Sequence, residues 1–189
     1  MSLNKSISFM PLSKIFFTSD TKMYLEGKTN LGIYICDCQH PQVYIPLCFN
    51  FQNNKAIFQD IQMNISTTNI DCHNSLYNYN IKKGLNSEKF PFIKINLLEA
   101  WKKDHTTFIN ESDWFDTGAK LKLIIKEVQK TKNVSAKALR LSKNKYRIKG
   151  RETLSMRDFN IVLPPMLFGL IEVDDKVDFN YDLVFEIKD

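Results

Sequence analysis

The sequence predicts an all-β protein: a closed or nearly closed antiparallel barrel of roughly eight to ten strands, with one short helix. Apolar and polar side chains alternate along many short runs, which is typical of strands with one dry and one wet face. The chain is also rich in aromatic residues, with 14 Phe and 7 Tyr, as suits a large apolar interior. A barrel follows because closing the sheet removes exposed strand edges.

The clearest alternation lies at the end of the chain, where apolar residues from Val177 to Ile187 alternate with polar ones. Near Phe92, Ile93, Ile95 and Leu97 fall on one face of a further strand. The remaining predicted strands lie in the runs 22–30, 31–38, 42–51, 56–66, 121–125 and 145–149. No internal repeat or linker interrupts them, so we expect a single domain over residues 1–189.

One helix is predicted over Ser75–Ser87, with Asn74 or Ser75 as its N-cap. Pro91 disfavours helical geometry at the preceding residue, so the helix must end before it and the next strand follows at once. The least regular stretch is Trp101–Gly118, which reads as a long loop. A loop of this length is usually functional or has structure of its own.

The four cysteines are Cys36, Cys38, Cys48 and Cys72. Cys36 and Cys38 share one face of a predicted strand. The sequence leaves two interpretations open: a disulfide from Cys36 or Cys38 to Cys72, or simple buried thiols. No second close pair supports a metal site, so we expect no metal.

No familiar catalytic motif occurs: the chain has no glycine-rich phosphate loop, no G-x-S-x-G and no H-E-x-x-H. We therefore expect no catalytic residues and no enzyme activity. The net charge is +5, but the lysines are scattered along the chain. We expect no nucleic-acid partner, because binding would need one basic stripe with stacking aromatics. No stretch is apolar over the ~18 residues of a membrane span.

Three stretches together resemble the YceI-like family of polyisoprenoid-binding, lipocalin-like proteins, in the form common among Bacteroidetes-type bacteria. Tyr24–Cys38 is similar to that branch's opening hairpin, and Asp71–Leu97 to its helix followed by a proline-bearing strand start. Tyr146–Ile187 is similar to its last strands and the turn between them. The chain departs from the family at Glu127, where a glycine is usual, and in the length of Trp101–Gly118.

The resemblance implies an eight-stranded, extended lipocalin-like barrel that is capped by the helix and holds a long amphiphilic chain. The function it implies is binding or carriage of an isoprenoid, such as a prenylated quinone, or of a fatty-acid-like lipid. It implies no other cofactor. It also implies a periplasmic or secreted protein whose signal peptide is not present in this chain. The inward-facing residues expected to line the ligand are Leu25, Ile33, Ile93, Ile95, Leu123, Ile125, Phe179, Tyr181, Leu183 and Phe185.

A second hypothesis is a barrel with a filled core that acts as a protein-interaction module through its surface loops. In that case Trp101–Gly118, with Trp114 and Phe115 near its end, would be the contact. A homodimer is left open under both hypotheses.

Overall fold

A computed structural model describes residues 13–39, 45–52, 55–103 and 113–188 of the 189-residue chain. Within these ranges one α-helix, α1 (Ser75–Leu85), and a single 3₁₀ turn (Arg157–Phe159) accompany the strands. The strands are β1 (Ser13–Phe17), β2 (Lys22–Thr29), β3 (Gly32–Cys38), β4 (Ile45–Gln52), β5 (Lys55–Ser66), β6 (Phe92–Lys102), β7 (Phe115–Ile125), β8 (Val128–Arg140), β9 (Lys145–Ser155) and β10 (Val173–Lys188).

All ten strands belong to one antiparallel sheet in the order β1-β4-β5-β6-β7-β8-β9-β10-β2-β3, and β1 also pairs with β10. β1 and β2 therefore lie along the same edge of β10, and β4 and β3 lie beside β1 and β2 in turn. The ten segments occupy eight positions around the barrel. The predicted all-β antiparallel fold is confirmed, although two of its eight strands are each divided into two segments.

The sheet is not closed along its whole length. β1 pairs with both β4 and β10 at one end, but among the described residues β3 forms no ladder with β5, and the isolated bridge between Asp37 and Asp71 is the only backbone pairing on that side. The segment that leads into α1 occupies this place. The nearly closed barrel predicted from the sequence is therefore open at the end that carries the helix.

Thr21 supplies hydrogen bonds to β10 at the break between β1 and β2. The β10 ladder passes from Phe17↔Phe185 to Lys22↔Asp182, so Val184 has no strand partner on this edge. The Thr21 hydroxyl donates to the Val184 carbonyl at 2.9 Å and accepts from the Val184 amide at 3.0 Å. Thr21 is 6% exposed, so no water can take its place easily.

Thr21→Val should therefore destabilise the protein. The substitution keeps the shape of the side chain but leaves the buried Val184 amide without its acceptor, which costs about 1–3 kcal/mol. Urea denaturation followed by circular dichroism measures the change. Thr29→Val is the matched control, since the Thr29 hydroxyl bonds only within an exposed turn. Equal free energies of unfolding for the two variants would contradict this account.

The predicted helix is confirmed, and its ends are set by two asparagines. The Asn74 side chain accepts from the amides of Leu76 and Tyr77, as an N-cap should. Asn86 adopts a left-handed conformation at φ 51° and ends the helix two residues before the predicted Ser87. Pro91 then precedes β6 directly, and its carbonyl accepts from the Thr67 amide at 3.0 Å.

α1 packs over the open end of the barrel. Its buried residues Ile81 and Leu85 join an apolar cluster with Ile65, Leu123 and Ile125 from the barrel wall. Gly84 allows close contact with the segment before β10, because a Cβ at this position would lie 2.3 Å from the Leu163 side chain. The helix is thus held from both sides.

A disulfide joins Cys36 of β3 to Cys72, just before α1. Of the two interpretations that the sequence left open, the structure has the disulfide for this pair and a buried free thiol at Cys38. The disulfide crosses the place where β3 and β5 fail to pair. No group of metal-ligating side chains occurs among the described residues.

The predicted loop Trp101–Gly118 is too long at both ends. β6 extends through Lys102, and β7 begins at Phe115, with Trp101 paired to Gly118. Regular backbone pairing therefore outweighs the polar composition of these ends. Trp114 is 41% exposed, and the Lys149 ammonium lies 5.6 Å from its ring centroid. The centre of the predicted loop, 104–112, lies outside the described residues.

Candidate ligand-binding site

A cavity of about 250 Å³ runs along the inside of the barrel. A buried water needs only about 10–15 Å³, so the space is large enough for an organic ligand. Its walls are almost entirely apolar. Its lining residues are Ile15, Phe17, Leu25, Cys38, Ile61, Met63, Ile65, Ile93, Ile95, Leu97, Ala100, Thr117, Gly118, Ala119, Leu121, Leu123, Ile125, Lys132, Val134, Ala136, Ile148, Glu152, Leu154, Phe179, Tyr181, Leu183 and Phe185.

The structure brings most of the predicted lining residues to this cavity. β6, β7 and β10 present every second side chain inward, so that one face of each strand forms a wall. The predicted residues found there are Leu25, Ile93, Ile95, Leu123, Ile125, Phe179, Tyr181, Leu183 and Phe185. Their part in binding a ligand stays a prediction.

Ile33 does not point inward. It is 63% exposed on the outer face of β3, and Ile35 beside it is 47% exposed. Tyr34, Cys36 and Cys38 take the inward positions of this strand. The prediction for Ile33 was wrong because the even-numbered residues of β3 face the interior, and an apolar residue of odd number must then lie outside.

Sequence reasoning missed the polar part of the lining. Lys132 of β8 and Glu152 of β9 both face the cavity, two positions from Val134 and Leu154 respectively. The Lys132 ammonium donates to the Thr153 carbonyl at 3.1 Å and lies 3.9 Å from the Glu152 carboxylate. Extending the alternation of Tyr146 and Ile148 by four residues would have placed Glu152 on the inner face.

Tyr181 adds a third polar group to the same wall. Its ring lies flat against Gly150, its partner across the strands, since a Cβ there would lie 2.1 Å from the Tyr181 hydroxyl. Trp101 covers Gly118 by a similar close approach, but its ring does not line the cavity. Burial, and to a lesser extent the negative charge of Glu152, raises the pKa of Tyr181 to about 12. The hydroxyl therefore stays protonated at neutral pH.

The helix end of the cavity is closed by sulfur and aromatic groups. Cys38 lines the cavity, and burial, with the nearby charge of Asp37, raises the pKa of its thiol to about 12. The thiol is therefore neutral at ordinary pH and is a poor nucleophile. Tyr34 stacks on Tyr77 of α1 with 5.2 Å between ring centroids. No catalytic arrangement is evident in this part of the cavity.

The fold and the cavity define a class: a single antiparallel barrel of the lipocalin type, with an apolar interior under a helical cap. Solved structures share this fold. A polyisoprenoid binding domain from Saccharophagus degradans, described as implicated in plant cell wall breakdown, has a TM-score of 0.67 at 9% identity and covers 93% of this chain and 98% of its own. The chain thus has the fold of the polyisoprenoid-binding, YceI-like proteins.

Two other structures agree with this assignment. BcnA of Burkholderia cenocepacia has a TM-score of 0.62 at 16% identity, covering 87% of this chain and 95% of its own. A YceI protein of Campylobacter jejuni has a TM-score of 0.52 at 15% identity, covering 76% and 81%. No protein-family model and no curated protein sequence matches the chain.

None of the helices in the described part of the chain has the length and apolar character needed to cross a membrane.

Proposed function

We propose that the protein binds a long amphiphilic lipid inside the barrel and carries or stores it without catalysis. The observation that carries this proposal is the apolar cavity of about 250 Å³, lined along the barrel from Cys38 to Phe185. Each CH₂ group removed from water contributes about 0.8 kcal/mol, so an apolar tail supplies affinity in proportion to its length. An isoprenoid, such as a prenylated quinone, or a fatty-acid-like chain has this form.

Two further features support the proposal. The neighbour from Saccharophagus degradans is itself described as a polyisoprenoid binding domain. The three sequence stretches that resemble YceI-like proteins also coincide with the β2–β3 hairpin, α1 with β6, and β9 with β10. These features support the proposal that the chain belongs to that family and to its Bacteroidetes-type branch.

We also propose a periplasmic or secreted location. The Cys36–Cys72 disulfide supports it, because disulfides form and persist mainly in oxidising compartments.

The second hypothesis, a filled barrel that acts through its loops, has less support. The interior holds a cavity, and the centre of its proposed contact loop lies outside the described residues.

Native mass spectrometry of the purified protein, followed by denaturation and lipid analysis, tests the proposed function. We expect a mass above that of the chain, and release of a prenyl or acyl species on denaturation. Protein without lipid should take up a prenyl alcohol added in slight excess. A chain that carries no lipid and takes up none would contradict the proposal and favour the filled barrel.

A further inference from the structure

The pairing between β8 and β9 ends before the helix end of the barrel. Their ladder runs from Arg140↔Tyr146 to Ala136↔Gly150 and stops there, although both strands continue. The first eight residues of β8, 128–135, pair with β7 but have no ladder to β9 in the described structure. The next two inward-facing rungs would have joined Val134 to Glu152 and Lys132 to Leu154. All four of these side chains line the cavity, so the gap lies in its wall.

Lysine side chains link the two sides in place of a backbone ladder: Lys132 crosses from β8 to β9, and two others reach the segment that follows β9. The Lys126 ammonium donates to the Asn160 carbonyl at 2.8 Å, and the Lys130 ammonium lies 2.9 Å from the Asp158 carboxylate. Lys132 bonds the Thr153 carbonyl, as described above. Long side chains can be displaced singly, whereas a ladder must open cooperatively. This part of the wall can therefore admit a group without unfolding the sheet.

The polar groups of the cavity gather at the same place. Tyr181 lies against Gly150, on the last rung before the strands diverge, and Lys132 and Glu152 flank the gap itself. Within the described part of the chain, the Tyr181 hydroxyl has no hydrogen-bond partner, and it is not among the fully buried polar atoms. It therefore retains accessible surface, and a ligand oxygen that reached it could accept its hydrogen bond.

We propose that the gap between β8 and β9 is a binding site for the polar head of the ligand, and that this head is uncharged and carries an acceptor oxygen. The inference rests on the proposed function. It assigns a binding site to the polar head, which is the part of the lipid that the apolar walls cannot recognise. The Lys132 ammonium and the Tyr181 hydroxyl donate to the head oxygen. The tail then runs away from the gap along the barrel.

The charge balance of the site selects the class of head. Lys132 and Glu152 carry opposite charges 3.9 Å apart, so the pair has no net charge. A carbonyl or hydroxyl head accepts from the two donors without meeting a repulsive charge. A phosphate or diphosphate head would face the Glu152 carboxylate across a short distance in a partly dry site, where repulsion is strong.

Two probes with the same tail test this site: geranylgeraniol, with a hydroxyl head, and geranylgeranyl diphosphate. Dissociation constants are measured by displacement of a neutral apolar dye, N-phenyl-1-naphthylamine, from the full chain. The wild-type protein should prefer the alcohol by about tenfold or more. Glu152→Gln should shift the ratio of the two constants about tenfold toward the diphosphate, and Lys132→Met about tenfold the other way.

Glu99→Gln is the matched control. Glu99 forms a comparable pair with Lys120 at 3.3 Å, but neither residue lines the cavity, so the ratio should stay within about twofold of wild type. If the wild type prefers the diphosphate, or if neither cavity variant moves the ratio, the head site is wrong while lipid binding stands. If the wild type binds neither probe, both the head site and the proposed function are wrong. The ratio of the two dissociation constants is also measured on the wild-type protein. The test therefore remains decisive even if one variant misfolds.

Discussion

Leu183→Trp should abolish most lipid binding while the protein stays folded. Leu183 lies on the inner face of β10 with Tyr181 and Phe185 on either side, and all three line the cavity. An indole there fills space that the tail would otherwise occupy. Because the ring enters a cavity and not a packed core, the loss of stability should stay near about 1 kcal/mol, at the low end for overpacking. Each CH₂ group of the tail that the indole excludes from the cavity removes about 0.8 kcal/mol of binding free energy. Native mass spectrometry should therefore show the bound fraction falling at least about tenfold.

Ile33→Trp is the control for this variant. Ile33 sits on the outer face of β3 and does not border the cavity, so an indole there should leave lipid occupancy unchanged. Circular dichroism and the thermal midpoint establish that both variants are folded. Full occupancy in folded Leu183→Trp would show that the lipid binds elsewhere than in the barrel.

Removing the Cys36–Cys72 disulfide should cause the largest loss of stability. The bond closes a loop of 36 residues, for which chain entropy gives a stabilisation of about 4 kcal/mol. It also stands where β3 and β5 have no ladder among the described residues. The double variant Cys36→Ala, Cys72→Ala should therefore lose about 4 kcal/mol of unfolding free energy, measured by urea denaturation.

Cys38→Ala controls for the loss of buried sulfur on the same strand. Cys38 is 8% exposed and free, so its removal should cost only about 1 kcal/mol, as for one buried methylene. Reductant should shift the denaturation midpoint of Cys38→Ala and leave that of the double variant unmoved. Equal stability of wild type and the double variant would mean that packing alone holds α1 in place.

Local patterns in the sequence sufficed for the parts of the fold that depend on near neighbours. The alternation in β10 predicted its inner face, and with it Phe179, Tyr181, Leu183 and Phe185 in the cavity wall. Pro91 predicted the direct passage from α1 to β6, because its ring restricts the residue before it. These features depend on side-chain periodicity and backbone sterics, and both can be predicted from a single amino-acid sequence.

Other features depend on contacts between distant residues, and no local pattern reports them. The division of one barrel strand into β1 and β2 rests on Thr21 meeting Val184, 163 positions away. The choice of Cys36 over Cys38 as the partner of Cys72 depends on how the chain before α1 crosses β3. The early end of the β8–β9 ladder is likewise a property of the assembled barrel, so from the sequence Lys132 and Glu152 resemble ordinary surface charges.

Gly150 sets how far the aromatic ring of Tyr181 stands out from the cavity wall. It lets that ring lie against the neighbouring strand, whereas a methyl group at this position would collide with the Tyr181 side chain at 2.1 Å and push it into the cavity. The internal diameter at this level thus depends on a hydrogen atom in place of a side chain. The space inside the barrel could then be retuned over evolutionary time at this one position, while every apolar side chain of the tunnel stays as it is.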